Sequence, residues 1–171
     1  MIRVQENDFD IAAEVRAIAR GRTDIGAVVT FTGIVRGDAG DGETGAVAAM
    51  TLEHYPGMTE RELERVEAEA WARWPLSGST IIHRTGTLGP GENIVLVITA
   101  SQHRHAAFEA ASFLMDYLKT AAPFWKKESD AAGHGQWVDA RESDDAAAGR
   151  WRGGRSAGDG DSDGEGGGSD D

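Results

Sequence analysis

Short runs rich in β-branched and aromatic residues alternate along this chain with helical apolar stripes, so each must find partners to bury its apolar face. Residues 26–35 (GAVVTFTGIV), 46–54, 79–84 and 94–100 each read as a strand. Ile11, Val15 and Ile18 recur at helical spacing behind a capping Asp8 and stop near Gly21. Thr59-Glu60-Arg61-Glu62 is a capping box ahead of Leu63, Val66, Ala70 and Trp74, and Pro75 ends that helix. Residues 105–120 predict a longer helix with Phe108, Ala111, Met115 and Leu118 on its core-facing stripe. Residues 124–128 and 136–140 close the pattern as short strands. Strands 26–35 and 46–54 flank a glycine-rich, mobile loop at 37–45 (GDAGDGETG) and are expected to pair antiparallel, while Gly89-Pro90-Gly91 turns the chain between strands 79–84 and 94–100. The mixture, without internal repeat, predicts an α+β domain with a largely antiparallel sheet.

A chain of 171 residues has room for one domain. That domain is placed at residues 1–151. Residues 152–171 carry no apolar side chain larger than Ala157 and cannot bury enough surface to offset their ordering entropy, so a disordered tail is expected. The formal charge is −12, and six acids with no base in residues 156–171 supply half of it. Such a balance argues against nucleic acid or an anionic membrane as partner. No apolar run approaches the ~20 residues of a membrane span, and the first residues lack a signal-peptide pattern, which together predict a cytoplasmic protein. With no cysteine, disulfides, thiolate metal sites and enzyme-thiol chemistry are excluded. Of 17 basic side chains only three are lysines, Lys119, Lys126 and Lys127, all within nine residues.

Four places hold polar side chains that the fold does not obviously need. Arg36 ends a strand where the glycine-rich loop begins, and its planar fork suits a phosphate or carboxylate, although a solvated strand-end Arg would look the same. Ser101-Gln102-His103-Arg104-His105 precedes a helix whose first N–H groups favour anions. The two histidines also suggest a metal, but no acid cluster stands beside them at ligand spacing, so no metal is assigned. Alternatively, Ser101 caps the helix and the histidines are simply exposed. Lys119 lies in the last helical turn, where the helix dipole alone favours a cation. After Pro123 the strand alternates, so Phe124 and Lys126 share one face and Trp125 and Lys127 the other. Lys126 could then enter a desolvated pocket with Lys119, where crowded ammonium groups become nucleophiles or general acid–bases. His83-Arg84 and His54-Tyr55 read as structural, and Arg141-Glu142 adds charge of low specificity.

These segments resemble one family closely, the large, catalytic subunit of molybdopterin synthase. The resemblance rests on AVVTFTGIVR (27–36), TLEHYPGMTE (51–60), HRTGTLGPGE (83–92), SQHRHAAFEA (101–110), MDYLKTAAPFWKKE (115–128) and WVDARES (137–143), in family order. It implies an α+β homodimer, each protomer binding a small ubiquitin-like sulfur-carrier subunit to give a heterotetramer. The carrier's C-terminal Gly-Gly thiocarboxylate would enter a pocket of the large subunit. Two sulfur transfers would convert cyclic pyranopterin monophosphate to the dithiolene of molybdopterin, with no cofactor. The absence of cysteine agrees, since the sulfur must then come from a partner. The resemblance places the catalytic pair on Lys119, next to the thiocarboxylate, and Lys126, assisting proton transfer or stabilising negative charge. It places the pterin phosphate on Arg36, His103 and Arg104, with Lys127, Glu128 and Arg141 as further substrate contacts. Two rivals remain. A non-catalytic scaffold for a Gly-Gly tail would need neither the lysine pair nor the arginine–histidine cradle, and a nucleotide-binding domain would need a phosphate loop this chain lacks.

Overall fold

The computed structural model describes residues 1–37, 47–120, 122–130, 135–138 and 148–152. Two four-stranded sheets share the strands. The first runs β1 (Ile2–Gln5), β4 (Leu76–Arg84), β6 (Asn93–Ser101) and β2 (Ala27–Ile34); the second runs β5 (Gly86–Leu88), β3 (Ala49–His54), β7 (Phe124–Ser129) and β8 (Gly135–Val138). Every pairing is antiparallel except that of β1 with β4. The expected α+β class with a largely antiparallel sheet is therefore what forms.

The first sheet is covered on both faces, and period-2 alternation divides its side chains. Ile81, Val95 and Val97 face helices α2 (Met58–Arg73) and α3 (Arg104–Thr120), packing with Leu63, Val66, Phe113 and Leu114. Ile82, Leu96 and Ile98 face the opposite way, onto Phe9 and helix α1 (Ile11–Ala19). Double burial explains why β6 reads as an unbroken apolar run. A third cluster, Val35, Met50, Leu52 and Leu88, joins the end of β2 to the second sheet. Residues 148–152 pack against α2 and α3. There Trp151 meets Trp74 and Phe113 edge-on and donates to Asp116 Oδ2 at 2.7 Å.

Several local expectations need correction. β2 does not pair with β3. It spends one edge on β6 from Ala27 opposite Ser101 to Ile34 opposite Asn93, and β3 lies between β5 and β7. Sequence adjacency suggested a hairpin, but Met50 and Leu52 reach their buried cluster only in the second sheet. The cap of α1 is Asp10, whose Oδ1 accepts from the Ala13 amide at 2.9 Å, while Asp8 accepts from Phe9 N and Asn93 Nδ2. The box of α2 begins two residues earlier than expected: Glu60 accepts from the Gly57 amide at 2.5 Å, and Gly57 takes φ +80°. Phe108 is 60% exposed and lies off the buried stripe, which runs through Ala107, Ala110, Ala111, Phe113, Leu114 and Leu118. The three-residue β5 and four-residue β1 are too short to show a period in sequence. The glycine-rich loop beyond Gly37, the end of strand 136–140 and the acidic tail lie outside the described residues. Among those described, no helix is long and apolar enough to cross a membrane.

Candidate active site

Lys119 stands exposed in the last turn of α3. With Phe108, Ala111, Ser112, Met115 and Asp116 of the same helix, and Val29, Thr30 and Phe31 of β2, it lines a groove of about 530 Å³. From Phe108 to Lys119 the helix advances about 16 Å, so the groove follows the helix and Lys119 marks one end. β2 is the outermost strand of its sheet, and among the described residues its other edge is unpaired. The groove thus combines apolar side chains, backbone hydrogen-bonding groups of the β2 edge, the carboxylates of Glu109 and Asp116, and one ammonium. Phe31 is readable in the strand alternation, whereas the spacing of Phe108 fits the helical stripe and hides its place on the groove.

Lys126 sits on β7 opposite Leu52, whose cluster includes Val35, the residue before Arg36. Its Nζ is 2.5 Å from Glu128 Oε1, two residues on and on the same strand face. The groove lined by Lys119 does not include Lys126. Lys126 and Glu128 thus form an ion pair within one strand. Lys127 occupies the other strand face, as alternation predicts, with Nζ 5.9 Å from the Trp137 ring centre. The turn into β7 is tied down by Thr59, whose hydroxyl donates to the Pro123 carbonyl at 3.2 Å.

Phe124, at the head of this strand, stacks on His83 with ring centres 3.7 Å apart. Burial pushes the His83 pKa down to about 4 from the ordinary 6.5 of an imidazole, and the nearby His54 adds to the depression. The fold therefore holds His83 neutral, whereas the unfolded chain takes up its proton between those values. The stabilising preference for the neutral form is full above about pH 6.5 and is lost as pH falls toward 4. Urea unfolding at pH 5 should show about 2 kcal/mol less stability from this group than at pH 7. That slope should flatten in His83→Gln, and an unchanged slope would refute the assignment.

Arg36 follows β2 and is exposed, making no ion pair or side-chain hydrogen bond among the described residues. His103 and Arg104 are also exposed, at the start of α3; Ser101 Oγ accepts weakly from the His103 amide at 3.4 Å and donates to the Pro75 carbonyl at 2.8 Å. The β2–β6 register puts these groups at opposite ends of one ladder, since Ala27 faces Ser101 and Ile34 faces Asn93. Seven strand steps separate the ends by about 23 Å, so one protomer cannot apply all three side chains to one phosphate. Helix α3 starts at the His103 end and returns along the sheet, carrying Lys119 toward the Arg36 end. Arg141 lies outside the described residues.

Gly26 ties the two strand ends at the His103 side, donating to the Ser101 carbonyl at 3.0 Å. A Cβ there would stand 2.2 Å from the Gln102 carbonyl oxygen. Gly26→Ala should cost about 1–3 kcal/mol in a urea melt, because backbone rather than a flexible side chain must move. Among the described residues no group of three or more His, Asp or Glu is gathered to hold a metal ion.

The structure is a two-sheet α+β domain with Lys119 on a groove and Arg36, His103 and Arg104 exposed at two strand ends. Residues 4–121 match the family model described as MoaE protein, and the chain belongs to that family. It is 59% identical over 142 residues to the molybdopterin synthase catalytic subunit of Mesorhizobium japonicum, covering 82% of this chain and 86% of that protein. The MoaE protein of Burkholderia ambifaria, at 51% identity, superposes with a TM-score of 0.74 over 89% of this chain and 97% of its own. A Helicobacter pylori complex of subunits 1 and 2 of molybdopterin-converting factor shares the fold at 19% identity and a TM-score of 0.64, over 82% and 90%. The resemblance read from the sequence segments is borne out, and with it an enzyme of molybdenum-cofactor biosynthesis.

Proposed function

We propose that the chain catalyses transfer of sulfur from the C-terminal thiocarboxylate of a small ubiquitin-like carrier to cyclic pyranopterin monophosphate, in the cytoplasm. The observation that supports this best is the groove between β2 and α3, with Lys119 at its end. An extended Gly-Gly tail is narrow, rich in backbone donors and acceptors, and suited to lie beside an unpaired strand edge. Its terminal thiocarboxylate would then meet the Lys119 ammonium. Lys119 either moves the proton that the transfer requires or forms an amide with the carrier's terminal carbon, losing its own proton as the C–S bond breaks and the sulfur passes to the substrate; Lys126, ion-paired with Glu128, stabilises negative charge developing on the substrate. Arg36, at the same end of β2, holds the substrate phosphate, with Lys127, Glu128 and Arg141 as further contacts.

His103 and Arg104 stand too far from Arg36 to join it within one protomer. In a homodimer, they complete the site of the neighbouring protomer, and two carriers on two large subunits give the heterotetramer. The H. pylori complex of two subunits agrees with a small-subunit partner. The chain mixed with thiocarboxylated carrier and the pterin should form the dithiolene product, detected after oxidation by fluorescence. Absence of product from a folded, carrier-bound sample would overturn the reading.

A further inference from the structure

The segment HRTGTLGPGE contains the buried cation of the first sheet, Arg84, and a turn of otherwise unexplained elaboration. Arg84 donates to the carbonyls of Glu6 at 2.9 Å and Asn93 at 3.1 Å and to Glu92 Oε1 at 3.2 Å. The second carboxylate oxygen of Glu92 accepts from the Gly89 amide at 2.6 Å, and its own amide donates to the Gly89 carbonyl. The turn at residues 89–92, with Gly91 at φ +86°, is thereby closed from both sides. It then grips the end of β2. Val35 N donates to the Glu92 carbonyl at 2.9 Å, and Gly91 N donates to the Val35 carbonyl at 2.8 Å. On the far side of Arg36, Gly37 lies against Pro90, where an added Cβ would be 3.5 Å from Pro90 Cβ. The residue before Arg36 is thus hydrogen-bonded to the turn and the residue after it lies beside Pro90, although Arg36 itself is an exposed residue at a strand end.

We propose that Arg84 and Glu92 are positioning residues that hold Arg36 at the substrate phosphate, acting through the turn at residues 89–92 and its two backbone bonds to Val35. This rests on the reading that Arg36 binds that phosphate. A guanidinium on a loosely held strand end would spread over many positions, and placing it in advance lowers the cost of binding. The gain falls on substrate binding and leaves the lysine chemistry alone.

Glu92 is the residue to change, because its side chain is 47% exposed whereas that of Arg84 is buried. In steady-state assays with thiocarboxylated carrier in excess, Glu92→Ala should raise KM for the pterin about tenfold with kcat changed less than twofold. Added to Arg36→Ala, the same substitution should raise KM no further, because the side chain it positions is already gone. If Arg36→Ala raises KM and Glu92→Ala does not, or if the two effects multiply, the positioning role is overturned while the phosphate reading stands. If Arg36→Ala leaves KM unchanged, the phosphate reading falls and this role with it. Should Glu92→Ala not fold, Glu92→Gln, which keeps one acceptor oxygen, carries the same test with a rise of about threefold.

Discussion

Lys119→Ala should reduce dithiolene formation by about a thousandfold or more, with binding of the carrier and dimerisation unchanged. The size follows from the proposed role: removing a group that bonds to, or exchanges a proton with, the reacting centre typically costs 10²–10⁴ in rate. Retained binding follows from the groove, since Val29, Phe31, Phe108 and Met115 supply its apolar wall and β2 its backbone edge. Lys119 is an exposed residue of the last helical turn, so its loss leaves no cavity and should move the melting temperature little. Product formation and carrier affinity, measured on the same sample, separate the enzyme from a scaffold. Near-normal turnover in this variant would remove Lys119 from the chemistry. Loss of carrier binding instead would make it an anchor for the tail.

Much of the fold could be read before any coordinates, and the limits of that reading are physical. β6 and β4 were visible as apolar runs, and α3 as a periodic one, because burial on a sheet face or helix stripe leaves a period in the sequence. Which strand pairs with which leaves none. β2 chose β6 over its neighbour β3, and the choice depends on two distant runs fitting the same layer. The site shows the same division. Lys119, Lys126, Arg36, His103 and Arg104 stood out by residue type and neighbourhood. That Arg36 and Arg104 lie at opposite ends of one ladder follows only from the β2–β6 register, which pairs Ala27 with Ser101. Glu128 as the counter-ion of Lys126 is latent in strand alternation, two residues away on the same face. Arg84 reads as structural and Glu92 carries no signal of its own, because nothing in the segment HRTGTLGPGE reveals that its turn reaches across to Val35.

The separation of Arg36 from His103 and Arg104 makes a prediction about mixtures of two impaired proteins. Lys119→Ala and Arg104→Ala proteins, each nearly inactive at pterin concentrations well below KM, should recover about one quarter of wild-type activity after being unfolded together and refolded. The arithmetic is that of a two-fold dimer. Half of the randomly formed dimers carry one copy of each variant, and in each of these both changes fall in one site and leave the other intact. Lys119→Ala mixed with Arg36→Ala should recover nothing. These two residues lie toward the same end of the sheet in one protomer, so each mixed dimer has one site without the lysine and one without the arginine. The contrast between the mixtures is the informative result, because general effects of refolding act on both alike. Equal silence in both mixtures, with mixed dimers confirmed by differently tagged chains, would mean that Arg104 serves the protomer that carries it. Since the β2–β6 ladder holds the Arg104 and Arg36 ends about 23 Å apart, such a result would remove Arg104 from the phosphate site. Recovery in the first mixture alone would place the phosphate between two copies of the chain, which makes the dimer a condition of catalysis.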